Sequence, residues 1–242
     1  MRRLILAMTA LGLVATGCAV EPLEDPGIGS GSLTTTVYAA DGSVIAEWHA
    51  GEDRRLVSYD EIPGHLINAT VAIEDERFWE HDGVDARALA RALVRNVDAG
   101  EVVEGGSTIT QQYLKNVALS SEVSIDRKVE EAILAIRLEE GFTKEEILER
   151  YLNTVYLGAG SYGVGTAADR YFGKTLSDLT LAESALLAGL IRAPSSTDPR
   201  RHPAAAVARR DVVLDKLLEL EWADPEAIAE ARGEPVVLVD PV

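Results

Sequence analysis

The sequence predicts a mainly α-helical domain that begins with one short β-hairpin. From about Tyr59 onward, apolar residues recur at helical spacing in segments that are separated by Gly and Pro. Before that point, Thr34 to Trp48 alternates between apolar and polar residues around Asp41-Gly42, which is typical of a hairpin. The chain of 242 residues is 47% hydrophobic and contains no internal repeat, so it can bury one globular core.

The charge and the cysteine content exclude several classes of protein. The chain carries 40 Asp and Glu against 23 Lys and Arg, a formal charge of −17, and offers no basic stripe for nucleic acid. Its single cysteine, Cys18, excludes an internal disulfide and a Cys-rich zinc site. The histidines are scattered along the sequence, so we expect no resident metal site; they are His49, His65, His81 and His202.

The first eighteen residues resemble a bacterial lipoprotein signal peptide. Arg2 and Arg3 precede an apolar run over 4–15, which is too short to span about 30 Å of hydrocarbon as a helix. The following Ala15-Thr16-Gly17-Cys18 resembles a lipobox, although Leu is more usual than Ala15. We therefore expect lipidated Cys18 to hold the protein at the extracytoplasmic face of a bacterial membrane. An ordinary secretory signal with an incidental thiol is the alternative.

The rest of the chain divides into a tether, a domain and a tail. Residues 19–33 are rich in Pro, Gly and Ser, which predicts a flexible tether. We expect the domain to extend over 34–220 and residues 221–242 to form a C-terminal tail. Within the domain, apolar periodicity predicts helices near 66–80, 85–97, 107–117, 124–140, 143–157, 180–192 and 203–220.

Two polar stretches carry residue types that suit catalysis. The first is EDERFWEHDG (74–83), in which Glu74, Phe78 and His81 would share one face of the helix predicted over 66–80. The second is GGSTITQQYLKN (105–116), at the start of the next helix but one. Taken alone, each stretch also fits a simple structural explanation: a partly exposed amphipathic helix, or a polar helix start.

Two further motifs place polar pairs four residues apart on helices. In RKVEE (127–131), Arg127 and Glu131 lie opposite an apolar stripe on a helix that is apolar nearly all round, so we expect that helix to be buried. An Arg–Glu pair in this order stabilises a helix by only a few tenths of a kcal/mol, so burying it favours a functional role over a structural one. In ILERYLN (147–153), Glu149 and Asn153 form the second pair, for which a solvated helix face is the alternative.

Together, the four motifs closely resemble those of the glycosyltransferase domain of class A penicillin-binding proteins and of monofunctional peptidoglycan transglycosylases. That family's motifs run ED-x-x-F-x-x-H-x-G, G-x-S-T-I-T-Q-Q, R-K-x-x-E and I-L-E-x-Y-L-N, in this order and at these spacings. The resemblance extends from about Thr35 to Leu220 and includes LLAGLIRAPSSTDP (186–199). It implies a lysozyme-like helical fold that polymerises lipid II into glycan strands, with inversion and release of undecaprenyl diphosphate.

The resemblance also implies roles for individual residues. Glu74 would be the general base that takes the proton of the incoming 4-hydroxyl group, and Glu131 the second catalytic carboxylate. Cations would hold the phosphate oxygens, and these are Lys115, Arg127 and Lys128. The other implied substrate-binding residues would supply hydrogen bonds or shape the cleft, and they are Asp75, Phe78, His81, Ser107, Thr108, Gln111, Gln112, Asn116, Glu149 and Asn153.

The sequence departs from the family pattern at two points. Val123 stands where many members carry a second basic residue, four positions before Arg127, which predicts weaker donor binding or a slower reaction. Members commonly use a transmembrane helix, whereas this chain would rely on acyl chains and on apolar residues around 89–103, because its acidic surface repels anionic headgroups.

Two other functions are alternatives to the polymerase. A lysozyme-type hydrolase needs a protonated carboxyl group for its alcohol leaving group and has no use for the three cations. The second alternative is a non-catalytic lipoprotein that binds lipid II or regulates a synthase. Val123 favours it, because a basic residue of the family pattern is missing at that position. The sequence has no S-x-x-K motif followed by K-T-G, so we expect no transpeptidase domain and no acylation by β-lactams.

The expected ligands follow from the same resemblance. We expect no required cofactor, although a loosely held divalent cation, Mg²⁺ or Mn²⁺, is chemically compatible with a diphosphate. The expected partners are lipid II, the lipid-linked growing glycan chain, the membrane and other proteins of cell-wall synthesis.

Overall fold

A computed structural model describes residues 35–38, 44–48, 53–100, 105–117 and 125–240. The predicted signal peptide with Cys18, the tether over 19–33, the Asp41-Gly42 turn and Val123 lie outside these residues. Helices dominate the described part, so the prediction of a mainly α-helical fold is confirmed.

The helices and strands are short and follow one another closely. The helices are α1 (Gly64–Glu74), α2 (Ala86–Ala99), α3 (Ile109–Val117), α4 (Ile125–Gly141), α5 (Lys144–Thr154), α6 (Val164–Phe172), α7 (Leu181–Leu190), α8 (Pro203–Glu219) and α9 (Pro225–Gly233). The strands are β1 (Thr35–Tyr38), β2 (Val44–Trp48), β3 (Asp53–Arg54) and β4 (Ser161–Tyr162). Strands β1 and β2 pair antiparallel from Thr35 opposite Trp48, so the hairpin is confirmed, and β3 pairs with β4 in parallel.

Helix α7 lies at the centre of the fold. Every residue from Ser184 to Leu190 is buried, and α7 packs against both α1 and α8. The apolar residues form two clusters, one around Tyr113, Leu148 and Tyr171 and the other where α1, α7, α8 and α9 meet. Each fully buried leucine contributes about 1.5–3 kcal/mol, so the framework around the end of α1 is rigid.

The start of α3 is fixed by a reciprocal cap. The Thr108 amide donates to Gln111 Oε1 at 3.0 Å, and the Gln111 amide donates back to Thr108 Oγ1 at 3.2 Å. The Thr108 hydroxyl group also donates to the Gly83 carbonyl oxygen at 2.7 Å. Gly83 has a φ of 87°, and a Cβ atom there would lie 2.6 Å from the backbone of Ala135. The loop after α1 is thereby pressed between α3 and α4.

Helix α1 ends at Glu74, so the helix predicted over 66–80 is too long. Asp75 leaves the helical conformation with a φ of −161° and a ψ of 75°. Its carboxylate accepts a hydrogen bond from the Ile109 amide at 3.0 Å and contacts His81 Nε2 at 2.9 Å. These contacts compete with a further helical turn. Glu74, Phe78 and His81 therefore do not share one helical face.

Helix α4 is not buried all round, which corrects a second expectation. Its apolar stripe is exposed, with exposed fractions of 55% for Val129, 52% for Ile133 and 44% for Ile136. The opposite side faces the protein and buries Glu131 and Leu138. The inference that Arg127 and Glu131 point towards the protein is therefore confirmed. The apolar stripe that the sequence periodicity indicated points away from it.

The packed unit continues through the segment that the sequence suggested was a tail. Helix α9 buries Ile228 and Ala231 against α7 and α8. The chain then runs back along the molecule, and the Val239 amide donates to the Tyr171 carbonyl oxygen at 3.0 Å. Buried Arg210 donates to the carbonyl oxygens of Arg232 and Glu234, so it fixes the end of α9.

Candidate active site

Two cavities of about 500 and 520 Å³ meet at Glu74. The first, here called the front cavity, extends from Glu74 towards Lys115 and α4, and the second, the rear cavity, extends towards α2 and α8. Four other residues belong to both walls: Ile73, Gly105, Ser107 and Arg192. Glu74 therefore faces the junction of two spaces, each large enough for a sugar.

One oxygen of the Glu74 carboxyl group is held and the other is uncommitted. Oε2 accepts a hydrogen bond of 3.0 Å from Gln112 Nε2. Oε1 is buried and has no hydrogen-bond partner in the described part of the chain. Burial raises the pKa of Glu74, while the bond from Gln112 and the positive charges of Arg209 and Arg192 oppose this rise. This arrangement suits a carboxylate that takes a proton, because the uncommitted oxygen gains a partner when it does so.

Tyr151 fixes the direction of the Gln112 amide group. The Tyr151 hydroxyl group donates to Gln112 Oε1 at 2.9 Å, so the Gln112 nitrogen is the end that points to Glu74. Tyr151 is completely buried, and burial raises its pKa well above 10. The tyrosine is thus a permanent donor, and helices α1, α3 and α5 meet in this chain of hydrogen bonds.

Positive side chains gather on the α4 side of the front cavity. Lys128 Nζ donates to Ser107 Oγ at 2.8 Å and makes a close ion pair with Glu131. Arg127 Nη1 lies 3.7 Å from the other oxygen of Glu131, which is only 2% exposed. Lys115 projects from the last turn of α3 into the same space. The wall opposite Glu74 is therefore suited to an anion such as a phosphate.

Most of the predicted site residues lie on the front cavity. They are Glu74, Ser107, Gln111, Gln112, Lys115, Asn116, Arg127, Lys128 and Glu131. Asp75 and Thr108 contribute to the rear cavity, where Thr108 also caps α3. Their contacts with a substrate stay predictions.

Phe78 and His81 lie behind the cavities. Phe78 is completely buried, and the Lys144 ammonium group lies 4.5 Å from the centre of its ring. His81 contacts Asp75, while its Nδ1 is 3.5 Å from Lys144 Nζ. Through the hydrogen bond that the Ile109 amide donates to Asp75, this cluster ties the end of α1 to the start of α3. The two residues support the loop that follows Glu74 and do not line either cavity.

Glu149 and Asn153 hold the chain segment that leads into α1. Glu149 Oε2 accepts a hydrogen bond from the Tyr59 amide at 2.8 Å. Asn153 pairs with both backbone groups of Val57, at 2.9 Å to the amide and 2.7 Å to the carbonyl oxygen. These hydrogen bonds attach the segment before α1 to α5, and neither Glu149 nor Asn153 lines a cavity.

The structure adds residues that sequence reasoning missed. Tyr151 lies within the fourth motif, in which the sequence pattern singled out only Glu149 and Asn153. Arg192 and Tyr156 line the front cavity, and Arg209 acts on Glu74 from α8. The Arg192-Ala193-Pro194 segment was the one sequence signal available for Arg192; Arg209 stands in an ordinary helical pattern.

The described residues give two further findings about binding and placement. Within them, no three His, Cys, Asp or Glu side chains come together in a way that could hold a metal ion. None of the helices in this part of the chain is both long enough and apolar enough to cross a membrane.

The mainly helical fold is that of the lysozyme-like transglycosylase domains. The chain belongs to the Transglycosylase family, whose family model matches residues 41–218.

Relatives place the chain within this family. It is 49% identical over 203 residues to penicillin-binding protein 1A of Aquifex aeolicus, covering 84% of this chain and 28% of the relative. It is 46% identical over 201 residues to penicillin-binding protein 1A of Escherichia coli, covering 83% and 23%. The crystal structure of penicillin-binding protein 1A from Haemophilus influenzae superposes with a TM-score of 0.52 at 28% identity, covering 87% of this chain and 22% of that one. The chain thus spans about a quarter of the length of these relatives.

Proposed function

We propose that this chain polymerises lipid II into the glycan strands of peptidoglycan by inverting glycosyl transfer, with release of undecaprenyl diphosphate. The observation that carries the proposal is the Glu74 carboxyl group, which lines both cavities, has one oxygen without a hydrogen-bond partner in the described part of the chain, and shares the front cavity with three cations. Membership of the Transglycosylase family and the similarity to penicillin-binding proteins 1A support it.

The geometry suggests how the two substrates divide the cleft. The donor would place its diphosphate against Lys115, Arg127 and Lys128 in the front cavity, with its anomeric carbon towards Glu74. The acceptor sugar would enter the rear cavity and direct its 4-hydroxyl group at Glu74 Oε1. Attack from the side opposite the diphosphate explains why the configuration at the anomeric carbon inverts.

The reaction then needs one proton acceptor and several cations. The bond from the acceptor oxygen to the anomeric carbon forms as the bond to the diphosphate oxygen breaks, and the hydroxyl proton moves to Glu74. The electron pair leaves with the diphosphate, whose charge the cations stabilise. A diphosphate is already a good leaving group, so no strong general acid is required.

Glu131 would act by ordering the phosphate-binding side chains. Its carboxylate lies between Lys128 and Arg127, which places both cations on the wall before a substrate arrives. No cofactor is required by this scheme. A loosely held Mg²⁺ or Mn²⁺ ion would supply additional charge stabilisation at the diphosphate.

We also propose that the protein works at the extracytoplasmic face of the membrane, anchored through lipidated Cys18. Exposed apolar side chains on α2 and α4 would contact the bilayer, and they are Leu89, Leu93, Val94, Val97, Val129, Ile133 and Ile136. Glycosyl transfer without transpeptidation would be its activity, alongside other proteins of cell-wall synthesis. A covalent penicillin adduct would contradict the absence of transpeptidation.

Incubation of the purified protein with lipid II tests the proposal. We expect a ladder of glycan strands on a gel and a loss of about 10²–10⁴-fold in rate for Glu74→Gln. Glu80→Gln, which removes an exposed carboxylate from the same segment, should polymerise normally. Bound but unchanged lipid II would indicate a binding lipoprotein, and cleavage of finished glycan would indicate a hydrolase; either result would contradict the proposal.

A further inference from the structure

Helix α2 forms one wall of the rear cavity yet has little core of its own. Of its fourteen residues only Ala92 is buried, the fewest in any α-helix whose side chains the structure describes. Ala88, Arg91 and Arg95 face the rear cavity, while Leu93, Val94 and Val97 are exposed. An isolated helix of this length is only marginally stable in water. Contacts at particular points must therefore hold α2 against the body of the protein.

The first turn of α2 is attached by a cap and by close packing. Asp85 accepts hydrogen bonds from the amides of Arg87 and Ala88 at 2.8 and 3.1 Å. Gly106 lies so close to Leu89 that a Cβ atom there would be 3.0 Å from the Leu89 Cα. These contacts fix the beginning of α2, and they leave its later turns to other attachments.

Glu76 joins the middle of α2 to α8. One of its carboxylate oxygens lies 2.6 Å from Arg91 Nη1, and the other lies 2.7 Å from Lys216 Nζ. Lys216 is further paired with Glu219 at 3.2 Å. The side chains of Glu76 and Lys216 are 20% and 22% exposed and that of Arg91 is 44% exposed, so solvent screens the contact with Lys216 less than the contact with Arg91. Glu76, Arg91 and Lys216 all line the rear cavity, so the carboxylate connects two of the helices that form its wall.

We propose that Glu76 is a positioning residue for glycosyl transfer: by holding Arg91 and Lys216 together it latches α2 to α8 and so sets the width of the rear cavity. The identity of the ligand there, the acceptor sugar, rests on the proposed function. Glu76 itself touches no reacting atom. Its carboxylate holds the wall against which the acceptor lies.

The size of the effect follows from the nature of the contacts. Partly exposed ion pairs contribute up to about 1 kcal/mol each, which corresponds to about a fivefold change in an opening equilibrium. The effect should be local, because α1, α7 and α8 are held by their apolar cores and not by Glu76. High salt should weaken the latch in the same direction as a mutation.

Hydrogen exchange of the whole chain tests the latch without any substrate. In Glu76→Gln, amides of residues 91–99 should exchange about threefold to tenfold faster, while those of α7 keep the native rate. Glu80→Gln removes an exposed carboxylate that pairs with Arg77, and it should leave α2 unchanged. Unchanged exchange of α2 in Glu76→Gln would overturn the proposal.

A double mutant separates the latch from a general effect of charge. If Glu76 acts on α2 through Arg91, then Glu76→Gln combined with Arg91→Gln should exchange no faster than the faster of the two single variants. If the increase in exchange rate in the double variant equalled the product of the two single increases, the proposed coupling between Glu76 and Arg91 would be overturned.

Kinetics with lipid II as the varied acceptor, at a fixed concentration of a short lipid-linked glycan as donor, tests the consequence for the reaction. Glu76→Gln should raise KM for this acceptor about threefold to tenfold and leave kcat within about twofold, because the chemistry at Glu74 is untouched. A fall in kcat at constant KM would overturn the positioning role. If the native chain showed no polymerisation at all, the proposed function would fail, and the exchange experiment would still decide whether the latch exists.

Discussion

The hydroxyl group of Tyr151 lies 2.9 Å from Gln112 Oε1, and through this bond a residue that never reaches the cavity surface orients the partner of Glu74. A glutamine amide has two ends of similar shape and opposite hydrogen-bonding character. With its oxygen occupied by Tyr151, Gln112 presents nitrogen to Glu74 Oε2, and Glu74 Oε1 is left buried with no hydrogen-bond partner in the described part of the chain.

Replacement of Tyr151 by Phe should therefore impair catalysis. The partly buried Gln112 oxygen would lose its donor, at a cost of about 1–2 kcal/mol in the free energy of unfolding, and the orientation of Glu74 would loosen. We expect kcat to fall about tenfold, measured by release of the lipid diphosphate. Tyr171→Phe is the matched control, since it removes a hydroxyl group bonded to the Leu157 carbonyl oxygen and should change stability but not kcat. Equal kcat losses in both variants would refute the orienting role.

Replacement of Glu74 by Gln should stabilise the protein while it slows turnover by about 10²–10⁴-fold. Burial raises the folded-state pKa of Glu74 above the ordinary value of 4.5, so the ionised side chain weakens the folded state at neutral pH. The gain in the free energy of unfolding that Glu74→Gln gives should be present at pH 7. It should shrink as the pH falls through the raised pKa of Glu74 and vanish below pH 4.5. Thermal unfolding at pH 7 should show a rise in Tm of about 2 °C. A lower Tm at pH 7, or a gain that grows in acid, would contradict this assignment.

The charge of Arg209 should tune the pH at which the enzyme works. It lowers the pKa of Glu74 against the effect of burial, and a general base must be ionised. In Arg209→Gln the acid limb of the kcat/KM profile should move to higher pH. Arg209→Lys keeps the charge and should keep the native profile, although its bond to the Gly189 carbonyl oxygen would change. Profiles that shift equally in the two variants would point to packing and not to charge.

Loss of Arg210 should release the C-terminal helix. This arginine is 2% exposed and donates at 2.7 and 3.0 Å to carbonyl oxygens at the end of α9, while it also pairs with Asp211. Arg210→Ala should cost about 3 kcal/mol and lower Tm by about 8 °C. Limited proteolysis should cut within 225–240 before it cuts elsewhere. Arg210→Lys keeps the positive charge but cannot reproduce the paired hydrogen bonds of the guanidinium group. Its Tm should therefore lie between that of Arg210→Ala and that of the native protein.

The sequence was sufficient to predict most helices and the grouping of the charged residues. Regular apolar spacing and the Gly and Pro residues between segments located α2, α3, α4, α5, α7 and α8 to within a few residues. The hairpin followed from alternation around Asp41-Gly42. The motif resemblance brought Glu74, Lys115 and Glu131 to one groove, and the front cavity contains all three.

The remaining features depend on contacts between segments far apart in the chain. Helix α1 ends at Glu74 because Asp75 bonds to the Ile109 amide, which local sequence does not reveal. Helix α4 has apolar residues on both sides, so periodicity alone could not decide which side faces the protein. Helices α6 and α9 went undetected because each is short, and the glycine-rich segment 158–163 or the weak pattern after Trp222 masked it. The latch at Glu76 joins α2 to α8 across more than a hundred residues.

Glu74 is held by α1, α3 and α5 at the meeting point of the two cavities, and under the proposed function this has a consequence for polymer growth. A proton acceptor that stays in place can serve every addition, provided that the product moves. After each bond forms, the lengthened strand must slide past this stationary carboxylate before another unit can react. The distance that the strand moves in each translocation then equals the length of one repeating sugar unit, measured from the fixed position of Glu74.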